Sequence, residues 1–125
     1  MTQINYIQLY SSGAHPDAAY LLEEGAVYLF ASDTDKYAIK GKNLIVCASE
    51  IILNRQGEMN VGRLETAVTQ SGSSLKKIPA DKLVENMKSY SFLLNASMVL
   101  AKQVSLTNDI IHRNTASLEG DEKKL

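Results

Sequence analysis

Glu50 and Arg63 are an acidic and a basic residue at the far end of a series of short apolar segments, and side chains of these two types can do binding chemistry. The planar guanidinium of an arginine makes two parallel, charge-assisted hydrogen bonds to an anionic group, which a lysine does less well. A carboxylate accepts hydrogen bonds from hydroxyl groups. The pair could therefore hold a small anion that carries hydroxyls, or it could be an ordinary surface ion pair that contributes about 0–1 kcal/mol.

Residues that could support covalent or metal chemistry are few. His15 lies in a turn and His112 near the end of a predicted helix, and no third ligand stands at useful spacing, so we expect no metal site. Cys47 ends an apolar strand, where a buried structural thiol is the more common case. Because the sequence shows no Ser/His/Asp or Cys/His arrangement, we predict that the protein is not an enzyme and uses no cofactor.

The composition is that of a single globular domain. The chain has 125 residues, of which 45% are hydrophobic and 22% are charged, and its formal net charge is −1. This charge offers no attraction to nucleic acid or to an acidic membrane surface, so neither is expected as a partner. A single cysteine, no signal-like N-terminus and no apolar run of membrane length predict a cytoplasmic protein.

Short apolar segments separated by turn residues predict a series of strands before Pro79. The predicted strands cover residues 4–10, 20–22, 26–31, 37–39, 44–47, 64–68 and 74–78. Glu23-Glu24-Gly25 is interpreted as a turn, Gly41 as a break between two strands, and residues 54–62 as a polar loop with two glycines.

The character of the sequence changes to helical after Pro79. Apolar residues at helical spacing predict one helix over residues 80–87 and a longer one from Phe92 to about His112. The longer helix carries two adjacent apolar stripes, Phe92/Ala96/Val99/Leu106/Ile110 and Leu93/Leu100/Val104/Ile111. One stripe is expected to pack against the strands, which leaves the second free to contact a partner.

The order of strands followed by helices predicts a mainly β fold with C-terminal α-helices. We expect a jelly-roll barrel, or double-stranded β-helix, that these helices close. The domain would cover residues 1–113, with the β-roll at 4–78 and the helices at 79–113, and residues 114–125 would form a polar tail.

These elements resemble the cyclic nucleotide-binding domain family, the β-roll of the catabolite-activator type, over roughly residues 4–112. Gly13, Asp17, Tyr20 and Gly25 match the residues of the family's barrel entry. Ser49-Glu50 stands where the family has a Gly-Glu pair that opens a small helix, and Ile51-Ile52-Leu53 matches the apolar turn after it. Arg63 stands at the family's arginine, followed by Leu64 and Thr66.

The resemblance implies a small regulatory domain that binds cyclic AMP or cyclic GMP without turnover. Glu50 would accept a hydrogen bond from the ribose hydroxyl, and Arg63 would pair with the phosphate. The implied ligand-binding residues are Ser49, Glu50, Ile51, Arg63, Leu64 and Thr66. In the family the C-terminal helix often forms a dimer interface or covers the base, so a homodimer through this helix is also implied.

Three departures from the family pattern support a second hypothesis. Ser49 replaces the glycine, or Cys47 does in a shifted alignment, the loop before Arg63 is longer than usual, and Leu64 and Glu65 follow the arginine. A neighbouring carboxylate would oppose phosphate binding by about 1 kcal/mol. The alternative is therefore a degenerate cyclic nucleotide-binding-like fold that no longer binds nucleotide and serves as a protein–protein interaction or dimerisation module.

Overall fold

The computed structural model of the chain describes residues 5–55 and 59–123. It contains five strands and three helices in the described residues, in an order of strands first and helices last. The elements are β1 (Tyr6–Tyr10), β2 (Ala18–Phe30), β3 (Lys36–Val46), α1 (Ser49–Arg55), β4 (Thr66–Gln70), β5 (Ser74–Pro79), α2 (Ala80–Asn86) and α3 (Tyr90–Lys123). The mainly β fold with C-terminal helices is therefore confirmed.

The long strand β2 organises an antiparallel sheet. It pairs with β3 along nearly its whole length. On its other edge it pairs with β5 through residues 18–24 and with β4 through residues 27–30. Strand β1 pairs with β4, which gives the order β1-β4-β2-β3. The path of this sheet is open between β1 and β3, so closure into a barrel stays a prediction.

Two predicted interruptions of the strands are wrong. Glu23-Glu24-Gly25 was interpreted as a turn and Gly41 as a break, but both lie inside continuous strands. Gly25 pairs directly with Gly41, and both have positive φ angles, +123° and +146°. Because glycine adopts such angles without a steric penalty, the two strands bend together here instead of reversing. Turn-forming residues thus mark a bend in the sheet.

The apolar core has two clusters. The larger lies between the sheet and α3 and includes Leu22, Leu29, Ile39 and Val99. The smaller joins α1 and α2 to the sheet through Ile51 and Leu83, among other residues. Helix α1 is therefore fixed in position by its packing against α2 and the sheet.

Helix α3 packs on β3 with one of the two predicted stripes. Ala96, Val99 and Ile110 of that stripe are buried, whereas Val104 and Ile111 of the second stripe are 61% and 59% exposed. The helix continues past His112, where the sequence pattern ended it, through most of residues 114–125, the predicted polar tail. None of the helices in the described ranges has the length and apolarity needed to cross a membrane.

A side chain of α3 also pairs with the backbone at the free edge of β3. Asn95 donates its amide N–H to the Asn43 carbonyl at 2.7 Å, and its Oδ1 accepts the Ile45 N–H at 3.1 Å. An amide that makes both bonds takes the place of a neighbouring strand, which satisfies polar groups that an edge strand leaves unpaired. This contact fixes the start of α3 against the sheet.

Candidate functional site

The chain turns sharply between β3 and α1, and this turn brings Glu50 inside. Cys47 has φ +64°, in the left-handed region that non-glycine residues rarely adopt. The residue of this turn that occupies glycine-like backbone is therefore Cys47. Helix α1 begins two residues later, and Glu50 in its first turn is buried.

The segment that carries Arg63 is held by two sets of hydrogen bonds. The Asn54 side chain at the end of α1 donates to the Val61 carbonyl and accepts the Val61 N–H, each at 2.8 Å. The Arg63 N–H donates to the Ala14 carbonyl at 2.8 Å, and the Gly13 N–H donates to the Arg63 carbonyl at 2.7 Å. The predicted polar loop therefore delivers Arg63 to a defined position despite its length.

Gly62 is needed for this approach. A Cβ at residue 62 would lie 2.7 Å from the Gly13 carbonyl oxygen, closer than side-chain carbon atoms approach a backbone oxygen. The absence of a side chain thus allows the Arg63 segment to run directly beside the β1–β2 connection.

Glu50 and Arg63 meet as a buried ion pair. The Arg63 Nη1 and the Glu50 Oε1 are 3.6 Å apart, and their side chains are 1% and 3% exposed. The Leu64 N–H points at the same carboxylate oxygen at 3.4 Å. The two residues singled out by the sequence are therefore brought together, but inside the fold and away from solvent.

Most of the Arg63 guanidinium is occupied by other groups of the chain. Nη1 donates to the Cys47 carbonyl at 2.7 Å, and Nη2 donates to the Ala18 carbonyl. The ring of Tyr10 lies against the guanidinium, with 4.0 Å between the Arg63 Cζ and the ring centroid. Nε is buried and has no hydrogen-bond partner among the described residues. The guanidinium thus retains at least one unpaired donor within the described part of the chain, at Nε.

The other predicted site residues spread away from this pair. The Ser49 hydroxyl contacts the Glu50 carboxylate, and the Thr66 Oγ1 accepts the Ser12 N–H at 3.0 Å. Ile51 points into the core cluster under α1, and the Leu64 side chain is exposed. Four of the six predicted residues, Ser49, Glu50, Arg63 and Leu64 through its N–H, therefore lie in contact around one carboxylate.

A second polar cluster, beside the Arg63 segment, was missed by the sequence analysis. Tyr37 on β3 donates its hydroxyl to Glu65 Oε1 at 2.8 Å, and Gln103 on α3 donates Nε2 to the Tyr37 oxygen at 3.1 Å. Burial raises the pKa of Glu65 above its usual range, and burial likewise raises that of Tyr37. The buried Gln103 Oε1 has no partner among the described residues. This cluster connects α3 to the residues that follow Arg63.

Tyr10 was also missed, because the sequence analysis treated it only as part of the predicted strand at residues 4–10. The strand pattern around it gives no signal of a contact with Arg63, because the two residues are far apart in sequence. Burial raises the pKa of Tyr10 well above its ordinary value, and burial raises that of the neighbouring Cys47 thiol to about 11. Both groups are therefore neutral at physiological pH.

The larger cavities of the described residues lie away from the Glu50–Arg63 pair. One of about 730 Å³ lies at the junction of α2 and α3, over Leu21, Ile45 and Phe92. Another of about 470 Å³ lies between His15, the outer side of α1 and the start of α2. Within residues 5–55 and 59–123, no group of three His, Cys, Asp or Glu side chains is arranged to hold a metal ion.

Comparison with solved structures relates the fold to a known regulator. The chain is similar to CLP, the c-di-GMP responsive global regulator of Xanthomonas campestris, with a TM-score of 0.60 and 14% identity over 89% of this chain. The match spans 58% of the CLP chain, so this chain corresponds to part of that structure. At this identity the likeness concerns the fold alone, and it supports the predicted cyclic nucleotide-binding-like architecture.

Two further matches are weaker. The cAMP-bound form of the EAL enzyme Bd1971 has a TM-score of 0.46 and 19% identity over 95% of this chain and 32% of that chain. The cGMP-bound form of the same enzyme has a TM-score of 0.46 and 17% identity over the same shares. Searched by sequence, no family model and no curated protein matches this chain.

Proposed function

We propose that the chain is a small regulatory domain that binds a cyclic nucleotide, cyclic AMP or cyclic GMP, reversibly and without turnover. The observation that carries the proposal is the meeting of Glu50 and Arg63 in one buried site, with the Arg63 Nε left without a partner. A buried donor without a partner is costly, and an acceptor oxygen from a ligand would satisfy it. The likeness in fold to CLP agrees with a regulatory role.

In this proposal the chain's own groups divide the ligand between them. Arg63 pairs with the phosphate, because a guanidinium binds an oxyanion through parallel charge-assisted bonds. Glu50 accepts a hydrogen bond from the ribose hydroxyl. The Leu64 N–H points at the same Glu50 carboxylate and therefore lies beside this contact. In this proposal both side chains bind the ligand and neither attacks it, so the nucleotide leaves unchanged.

Titration of the purified chain with cyclic AMP and cyclic GMP tests this proposal. Saturable binding should appear for one of them, and ligand at 100 times its dissociation constant should raise the free energy of unfolding by about 2.7 kcal/mol. The variant Arg63→Lys keeps the charge but loses the planar fork, so its affinity should fall roughly tenfold or more. Arg113→Lys, on the exposed part of α3, is the matched control and should bind normally.

Flat titrations of a cooperatively folded wild-type protein with both nucleotides would contradict the proposal. So would equal affinities for wild type and a folded Arg63→Lys variant, since the phosphate would then be held elsewhere. Circular dichroism and urea unfolding of each variant establish that it is folded before its affinity is compared.

A specific observation favours the alternative of an interaction module. The outer side of α3 exposes Leu94, Met98, Val104 and Ile111, and only Lys102, Asp109 and Arg113 carry charge between Tyr90 and Asn114. An exposed apolar helix face of this kind is typical of a protein–protein contact. A second copy of the chain, with its α3 against this one, would cover both faces.

Sedimentation equilibrium distinguishes this alternative. If α3 forms a homodimer, the protein should be dimeric with or without nucleotide, and Val104→Glu should shift it to monomer. Lys77→Glu changes an exposed charge on β5, outside α3, and serves as the control. A wild-type protein that stays monomeric at high concentration, both with and without nucleotide, would contradict the dimer.

A further inference from the structure

Tyr10 covers one face of the Arg63 guanidinium. The Arg63 Cζ lies 4.0 Å from the centre of the Tyr10 ring, which is the separation of a close stack of guanidinium on aromatic face. For comparison, the only other cation–aromatic contact of the described residues, Lys36 on Phe30, has a separation of 5.7 Å. The ring therefore occupies one whole face of the guanidinium.

The edge of the guanidinium is also largely filled. One terminal nitrogen donates to the Cys47 carbonyl and faces Glu50, and the other donates to the Ala18 carbonyl. A bidentate pairing with an oxyanion needs two adjacent N–H groups on one edge. Each terminal nitrogen already donates one hydrogen bond, and Nε is the guanidinium nitrogen that has no partner among the described residues. To reach these donors, an anion must enter a site in which the Arg63 side chain is only 1% exposed.

We propose that Tyr10 closes the anion site in the described state, and that its ring must move away before a phosphate can reach the buried guanidinium of Arg63. The inference rests on the proposed function for the identity of the anion. The closure itself rests on the stack on Arg63 and on the 1% exposure of that side chain. Tyr10 then sets the apparent affinity, since a site that is open only part of the time binds correspondingly weakly.

Tyr10 is only partly buried, and it ends a strand of five residues at the edge of the sheet. Ala18 and Cys47 are buried in the core at the ends of the paired strands β2 and β3. Tyr10 is the last residue of β1, which pairs with β4 alone. The register of that pairing shifts between Gln8 and Tyr10. A short edge strand with an irregular end is released more easily than a strand that is bonded on both sides.

The only cysteine of the chain provides a probe of opening that needs no nucleotide. Cys47 is 2% exposed and lies beside Tyr10 and Arg63, so its thiol becomes accessible when this corner opens. The rate of alkylation by iodoacetamide, measured at constant pH, therefore reports the open fraction. Three variants complete the design: Tyr10→Ala removes the ring, Tyr10→Phe keeps it, and Tyr6→Ala removes an exposed tyrosine of the same strand.

Tyr10→Ala should raise the Cys47 alkylation rate and lower the dissociation constant for cyclic AMP or cyclic GMP. Each change should be on the order of tenfold, the size expected for the loss of a desolvated cation–π contact. Tyr10→Phe and Tyr6→Ala should both stay near the wild-type values. An unchanged alkylation rate in a folded Tyr10→Ala variant would overturn the closure.

The wild-type protein gives a second test that does not depend on the folding of a variant. If Tyr10 opens locally, Cys47 should be alkylated at low urea faster than global unfolding allows, with a weak dependence on urea. Alkylation that follows global unfolding, with the full urea dependence, would overturn the closure.

The two proposals fail separately. Faster alkylation of Tyr10→Ala with no binding of either nucleotide would support the closure and overturn the proposed ligand. Nucleotide binding that is unchanged in Tyr10→Ala, together with unchanged alkylation, would keep the ligand and overturn the closure.

Discussion

Two ion pairs in this protein have the same separation and opposite surroundings. Glu50 and Arg63 are 3.6 Å apart with side chains 3% and 1% exposed, whereas Glu24 and Lys42 are also 3.6 Å apart with side chains 70% and 72% exposed. Glu24 and Lys42 sit opposite each other on the paired strands β2 and β3. Distance alone therefore does not distinguish them.

Burial is what separates the two pairs in energy. Water around an exposed pair weakens the attraction and hydrates each charge when it is alone, so the pair contributes about 0–1 kcal/mol. In the interior each charge has lost its water, and the removal of one partner leaves the other uncompensated at a cost of about 3–5 kcal/mol. Each charge of the buried pair therefore needs the other to remain in the interior, even where the pair as a whole adds little to the free energy of unfolding.

The largest expected effect comes from breaking the buried pair. Glu50→Ala leaves the Arg63 charge buried, and we expect a loss of about 3–5 kcal/mol in the free energy of unfolding, measured with urea. The double variant Glu50→Leu/Arg63→Met removes both charges and should lose less than Glu50→Ala alone. A loss below about 1 kcal/mol for Glu50→Ala would show that this pair behaves like an exposed one.

The next effect tests the backbone contact that delivers Arg63 to the pair. Gly62→Ala places a carbon 2.7 Å from the Gly13 carbonyl oxygen, and we expect this overpacking to cost about 1–3 kcal/mol. Faster alkylation of Cys47 should accompany it, because the Arg63 segment must shift outward. Gly72→Ala is the control: its added carbon meets open space, so any cost there is conformational and Cys47 should stay protected.

Glu65 provides an intermediate case, half-buried and hydrogen-bonded to the Tyr37 hydroxyl. Burial raises its pKa in the folded protein, so the protonated form is favoured there. Its contribution to stability is therefore present below the pKa of the unfolded chain and is lost as the pH rises through the raised folded pKa. Relative to Glu65→Gln, the wild type should lose stability as the pH rises above the ordinary pKa of a glutamate, about 4.3. Parallel stability curves for the two proteins would contradict this.

The smallest effect is expected at the exposed pair. Lys42→Ala should change the free energy of unfolding by no more than about 1 kcal/mol, and 1 M salt should reduce the change further, because an exposed pair is screened. A larger loss of unfolding free energy that persists in high salt would mean that the aliphatic stem of Lys42 stabilises the fold by packing. Glu23 and Lys76 would then be the exposed pair to compare with Glu50 and Arg63.

The sequence predicted the elements whose signals are local. Residues 80–87 and the start of the long helix follow from helical apolar spacing, and α2 and α3 occur there. The same spacing divided the apolar residues of α3 into two stripes, of which one is largely buried and the other largely exposed in the structure. The pattern failed at Glu23-Glu24-Gly25 and at Gly41, where turn residues lie in continuous strands, because a bend and a reversal use the same residue types.

The sequence by itself therefore determined the β-then-α order, whereas the short helix that carries Glu50 and the choice of Glu50 and Arg63 as a pair came from the resemblance to the cyclic nucleotide-binding domain family. Only the tertiary structure decided that this pair is buried, that Tyr10 covers the arginine, and that Gln103 reaches Tyr37. These contacts join residues that are distant along the chain, such as Arg63 and the Ala18 carbonyl. Residue type and spacing report the conformation of neighbours, whereas burial and charge partners depend on how separate elements pack.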